Sequence, residues 1–166
     1  MKKLILLFTF TLLFSCNSEP ETVTVDRLYQ IEIPGDMIST VLNEEASLQY
    51  ANVFSEKYLM VIHENKSEWI DLVGQENYFM QYVNLLTEDL ETSYGKSGYI
   101  SNIYLDNSEP AKLFEISGVF DGIDIDWNVI YFEGENNLYQ IFYWTLAGRD
   151  SNMNELRSAA ETFREL

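Results

Sequence analysis

His63 is the single histidine of the chain, and it closes the apolar run Tyr58-Leu59-Met60-Val61-Ile62-His63. As a base or a metal ligand it needs partners, and the sequence offers neither a second histidine nor a cysteine near it. A lone histidine ending a buried strand therefore reads as structural. Serine hydrolase chemistry would have to use His63, yet the G-x-S-x-G elbow is missing. The acids of Asp121-Gly122-Ile123-Asp124-Ile125-Asp126 are the candidate metal ligands, because calcium takes closely spaced carboxylate and carbonyl oxygens. Their spacing departs from the D-x-D-x-D-G loop. In a strand, Asp124 and Asp126 share one face while Ile123, Ile125 and Trp127 share the other, so a solvated sheet face explains the pattern without an ion. No metal and no other cofactor is expected. Dispersed carboxylates could serve a glycosidase-like hydrolase, but spacing singles out no pair. The third candidate surface is aromatic: Tyr139, Phe142, Tyr143 and Trp144, with Trp127, Tyr131 and Phe132 before them. Alternation puts Tyr139, Ile141 and Tyr143 on one face and Gln140, Phe142 and Trp144 on the other. Covered, these rings are core; open, they are a surface for a sugar or a peptide.

Positioning those residues falls to strands and a few helices. The first strand is expected over 28–33, ended by the turn pair Pro34-Gly35. Residues 36–43 read as loop, 46–53 as a strand, and 58–63 as a strand buried on both faces, with 54–57 connecting the last two. Ser67 suits the cap of a short helix ended by Gly74. Tyr78, Phe79, Tyr82, Val83, Leu86 and Leu90 recur at three and four, giving a helix over about 75–92. A possible strand over 99–105 precedes a meander of strands at 112–120, 123–133 and 138–146. Asp121-Gly122 is a strong two-residue hairpin signal, since a type I′ turn needs positive φ at both positions. Asp150 or Ser151 then caps a closing helix with Met153, Leu156, Ala160 and Phe163 on its apolar face. The expected class is α+β, an antiparallel β-sheet flanked by helices.

The amino terminus reads as an address. Lys2 and Lys3 precede an apolar run over 4–14, broken only by Thr9 and Thr11. That run is too short for a bilayer core of about 30 Å and suits a signal-peptide h-region. It ends at Leu13-Phe14-Ser15-Cys16, which resembles the lipobox of bacterial lipoprotein precursors. The resemblance implies cleavage between Ser15 and Cys16 and acylation, with palmitate for example, of the Cys16 thiol. Two or more acyl chains hold a protein stably on a bilayer without a transmembrane helix. Cys16 is also the only cysteine, so no internal disulfide can form. The expected organisation is a signal peptide at 1–15, a lipidated cysteine and flexible tether at 16–26, and one domain over 27–166. A ten-residue tether reaches roughly 35 Å. Ser18, Glu19 and Glu21 resemble acidic export signals of some Bacteroidetes lipoproteins.

Charge narrows the partners. Taking Lys2 and Lys3 from the ten basic residues leaves eight against 27 acidic ones, a formal charge of −19 for the processed chain. Such a surface repels phosphates, so nucleic acid is excluded as a partner. Apolar residues at 46% and aromatics at 14% suffice for a packed core.

The order of elements resembles the PsbP-like α/β/α sandwich, the fold of an extrinsic photosystem subunit and of a nuclear-import cofactor family. The resemblance rests on Ile33-Pro34-Gly35, the long middle helix and the closing Glu161-Thr162-Phe163-Arg164, and covers about 27–166. Leu42-Asn43-Glu44-Glu45-Ala46-Ser47-Leu48-Gln49-Tyr50, with Tyr58 to Glu64 after it, is also similar to small uncharacterised Bacteroidetes lipoproteins. The better-known PsbP-like members are non-enzymatic and bind proteins, sometimes influencing a nearby metal site; none of their binding residues transfers to this chain. The expected function is that of a lipid-anchored protein of the bacterial cell envelope, at the outer membrane, with no catalysis and a protein partner. A calcium- or glycan-binding lipoprotein is the alternative.

Overall fold

A computed structural model of the protein describes residues 19–94 and 96–166. The cleavage and lipidation expectations at Ser15 and Cys16 lie outside the described residues.

The elements run β1 (Glu21–Val25), β2 (Tyr29–Ile33), β3 (Ile38–Ser39), β4 (Leu48–Asn52), β5 (Lys57–Asn65), α1 (Lys66–Val73), α2 (Tyr78–Tyr94), β6 (Tyr99–Tyr104), β7 (Pro110–Phe120), β8 (Ile123–Glu133), β9 (Asn137–Leu146), α3 (Asp150–Glu161) and β10 (Arg164–Glu165). The class is α+β, as the periodicities imply. The strands form two antiparallel sheets, where the sequence suggested one. The larger has the order β3-β4-β5-β9-β8-β7-β6, and the smaller the order β1-β2-β10.

Period-two alternation on the large sheet feeds two cores. Leu59, Val61, Ile130, Ile141 and Tyr143 point to one face and meet Tyr29 and Ile31 of β2 and Leu156 of α3. Met60, Phe114, Val129, Tyr131 and Phe142 point to the other and meet Tyr82 and Val83 of α2. These are the α3 face and the α2 face of the sheet. Both faces of the central strands are therefore apolar, which is why β5 and β9 read as near-continuous apolar runs. Asp121 and Gly122 have φ of 49° and 82°, both positive as a type I′ hairpin demands.

Several boundaries differ from the sequence reading. Residues 21–25 belong to β1 and not to a tether: Glu21 to Val25 pair residue for residue with Ile33 to Tyr29. The segment looked like linker because it is an edge strand with only Val23 and Val25 leaning on the core. Asn65, not Ser67, caps α1, its side chain accepting from the Ser67 and Glu68 amides. No side chain caps α3, and Asp150 lies in its first turn, where a carboxylate suits the helix dipole. Among the described residues no helix is long and apolar enough to cross a membrane.

A buried cation ties the layers. The Lys57 side chain, 4% exposed, reaches Asp36 at 2.6 Å and Glu155 at 2.9 Å. It joins β5, the turn after β2, and α3. Burial alone would push its pKa down, but the two carboxylates outweigh that and hold it above the usual lysine value. Burial pushes Asp36 up, and bonds from Lys57 and Asn52 override that and hold it below the usual carboxylate value.

Candidate functional site

His63 Nδ1 lies 3.2 Å from Ser47 Oγ, a pairing of the kind a nucleophile needs. The same hydroxyl is 2.7 Å from the Tyr29 hydroxyl and donates to the Val61 carbonyl at 3.1 Å. The imidazole packs edge-on to Tyr29 and tilts against Tyr139. His63 thus packs with Tyr29 and Tyr139 on the α3 side of the sheet. Asp126 accepts from the Ser117 hydroxyl and, at 3.3 Å, from the Gly148 amide. Asp124 shares its face, while Asp121 sits in the hairpin turn. Among the described residues no three His, Cys, Asp or Glu side chains are placed to hold a metal ion.

The aromatic run divides between the faces as alternation required. Tyr139, Tyr143 and Phe132 are buried on the α3 side, and Tyr131 and Phe142 on the α2 side. Trp127 and Trp144 are half-buried and stack 4.3 Å apart, with Tyr58 stacked on Trp144 at 5.1 Å and Tyr94 of α2 tilted against Trp127. A sugar platform needs a free ring face. Here the indoles spend their faces on each other, so they brace the sheet.

What the fold leaves open is strand β6. It ends the seven-stranded sheet and pairs only with β7 among the described residues. Register follows from the tight turn: the Leu105 amide donates to the Glu109 carbonyl at 2.9 Å. Antiparallel alternation then turns the amide groups of Tyr99, Ser101 and Ile103 toward β7, and those of Ile100, Asn102 and Tyr104 toward the open side. The strand reads Tyr-Ile-Ser-Asn-Ile-Tyr, with no charge and no proline. Its end residues Tyr99 and Tyr104 are 67% and 71% exposed. Natural edges are commonly blunted by brevity, charge or proline. The opposite edge, β3, is blunted in this way, being two residues long.

A cleft lies at each end of β6. One, of about 470 Å³, is lined by Phe79 of α2, Asn102 and Tyr104 of β6, Pro110 and Lys112 of β7, and Glu133 of β8. Beside it Lys66 bonds Glu133 at 2.8 Å, and Tyr78 donates to the same carboxylate. Burial and that carboxylate push the Tyr78 phenol up. The second cleft, of about 600 Å³, opens on the α3 face between Tyr99, Glu115, Ser117, Asp126, Asn128 and Asp150. Its carboxylates are Glu115, Asp126 and Asp150, against one cation, Lys96. Arg157 stands nearby but is engaged by Glu161 at 2.8 Å. Of the acids chosen from sequence, only Asp126 enters a cleft. Glu115, Asp150 and the β6 edge were missed; the signal for the last was a six-residue strand without charge in a chain that is 22% charged. The arrangement offers backbone hydrogen bonds and two sets of side-chain contacts.

No protein-family model matches the sequence, and no curated protein matches it. Solved structures do match in fold. One is a protein from Bacteroides thetaiotaomicron, 8% identical with a TM-score of 0.59; the match covers 90% of this chain and 49% of that one, so this chain spans about half its length. Another is LpqN of Mycobacterium tuberculosis, described as involved in cell envelope biogenesis, at 11% identity and a TM-score of 0.58, covering 89% of this chain and 90% of that one. A point mutant of Mog1 is 10% identical with a TM-score of 0.52, covering 87% of both chains. At these identities the likeness is one of fold.

Proposed function

We propose that this chain is a lipid-anchored accessory protein of the bacterial cell envelope, held at the outer membrane through acylated Cys16, that binds a protein partner and catalyses no reaction. The observation that carries the binding role is the uncharged β6 edge with a cleft at each end. The fold likeness to LpqN, described as involved in cell envelope biogenesis, supports the setting. The resemblances to Bacteroidetes lipoproteins and to the PsbP-like group belong to the same proposal.

Two experiments test it. A photo-crosslinking side chain at Asn102, used in intact membranes, is expected to capture a protein that the same group at exposed Leu72 on α1 does not. Recovery of the monomer alone from Asn102 would remove the binding role. Cys16→Ala is expected to abolish palmitate incorporation and detergent partitioning; unchanged partitioning would remove the anchor.

A further inference from the structure

We infer that the partner contributes an extended segment that joins the large sheet as an eighth strand beside β6, with lysine or arginine facing the acidic cleft on the α3 face at the Tyr99 end. This rests on the protein-binding reading above and specifies its geometry and its chemistry.

The hydrogen-bonding side comes from the register. Ile100, Asn102 and Tyr104 present their amide and carbonyl groups away from β7, an arrangement that another strand can continue. An added strand points successive side chains to opposite faces, and the two faces differ here. Toward the α3 side, Glu115, Asp126 and Asp150 outnumber Lys96 in the 600 Å³ cleft, so a cationic side chain finds complementary charge. Toward the α2 side, Phe79, Tyr104 and Pro110 give the 470 Å³ cleft an apolar wall beside the charged Glu109, Lys112 and Glu133, so an apolar side chain finds a place there too. The edge therefore asks for a cationic side chain toward the α3 face near Tyr99 and an apolar one toward the α2 face near Tyr104.

Charge also argues against a second copy as occupant. Each chain carries a formal −17, and an edge-to-edge dimer would bring two such surfaces together. A basic segment from a different protein meets attraction instead.

The test uses the full chain in detergent micelles and two labelled nine-residue peptides, one alternating lysine with valine and one alternating glutamate with valine. Fluorescence anisotropy is expected to show binding of the lysine peptide, at least about tenfold weaker binding of the glutamate peptide, and loss of affinity with added salt. Asn102→Pro removes an outward amide while sparing the β6–β7 ladder, and proline is tolerated at such a position. It is expected to weaken the lysine peptide about tenfold or more, whereas Asn102→Ala stays within about twofold. If Asn102→Pro fails to fold, Glu115→Gln with Asp150→Asn carries the test, and it is expected to erase the preference for lysine over glutamate. In the wild type, the peptide should slow hydrogen exchange at the Ile100, Asn102 and Tyr104 amides. Equal binding of both peptides, full affinity in folded Asn102→Pro, or unchanged exchange at those amides overturns the strand-addition inference. Crosslinking at Asn102 that still captures a protein in that case leaves the broader reading standing, and capture of nothing removes both.

Discussion

Replacing Lys57 by methionine keeps the length of the side chain and removes the charge that joins β5 to Asp36 and Glu155. Two charge-assisted bonds, at 2.6 and 2.9 Å, are lost. Fully desolvated, each would contribute about 1.5–3 kcal/mol. The acids are 38% and 49% exposed, however, so water replaces much of each lost bond, and an ammonium no longer has to be buried. A net loss of about 1–2 kcal/mol at pH 7 follows, worth about 2–4 °C per kcal/mol in a chain of this size. The pH dependence has a definite sign. Asp36 is held below its ordinary value, so its contribution is present above about pH 3.9 and fades as pH falls toward the folded-state value. Lys57 is held above its ordinary value, so its contribution is present below about pH 10.4 and fades as pH rises beyond that. Urea unfolding followed by tryptophan fluorescence at pH 7 and pH 3.5 measures the Asp36 contribution. A penalty under about 0.5 kcal/mol at pH 7, or one as large at pH 3.5, would refute the clamp.

Other positions give equally definite expectations. At Gly98 a Cβ would stand 2.2 Å from the Phe114 ring and 2.9 Å from the Glu115 carbonyl, so Gly98→Ala should cost about 2–3 kcal/mol and shift the start of β6; an unchanged melting temperature would contradict that packing. The Tyr131 hydroxyl is buried without a hydrogen-bond partner among the described residues, so Tyr131→Phe should stabilise by about 1 kcal/mol. Loss of stability in urea titrations would show that the hydroxyl is satisfied. Burial, with Glu56 adding to it, lifts the Tyr58 phenol to about 12, and burial lifts Tyr29 to about 12 against the bond from Ser47. Both phenols favour the fold up to about pH 10, and their contribution fades as pH rises toward 12. Absorbance at 295 nm should therefore jump on unfolding at pH 11, and a folded protein whose tyrosines all ionise near pH 10 would contradict it.

Sequence periodicity was sufficient wherever an element buries a full face. The β8 bounds, the Asp121-Gly122 hairpin and the amphipathic α2 were legible because each repeats an apolar pattern at its own period. Elements defined by partners were not. β1 and β10 exist through pairing with β2, the first as a hairpin and the second as a contact between distant parts of the chain that local pattern does not encode. The division into two sheets was hidden for the same reason. Asp124 and Asp126 were correctly placed on one face, but which acids would meet depended on register and on helix packing, and these put Glu115 of β7 and Asp150 of α3 beside Asp126 instead of Asp121. The stacking of Trp127 on Trp144 was likewise a cross-strand fact, with direct opposition in the β8–β9 ladder as its cause.

Because pairing begins at Glu21, the connection from Cys16 is half of what composition suggested, and five residues span at most about 18 Å. Pro20 lines a cleft with Glu155 and Ser158 of α3, on the side of the large sheet that carries the acidic cleft. An acylated chain so moored would hover at little more than twice the physiological screening length of about 8 Å, where its own negative charge and anionic headgroups push it outward to the limit of its rope. On the proposed anchor, such a molecule would survey a narrow layer and leave the far side of the compartment unvisited. Any strand that reaches β6 would have to be delivered into that layer, by a neighbour embedded in the same bilayer or by a soluble protein that comes down to it.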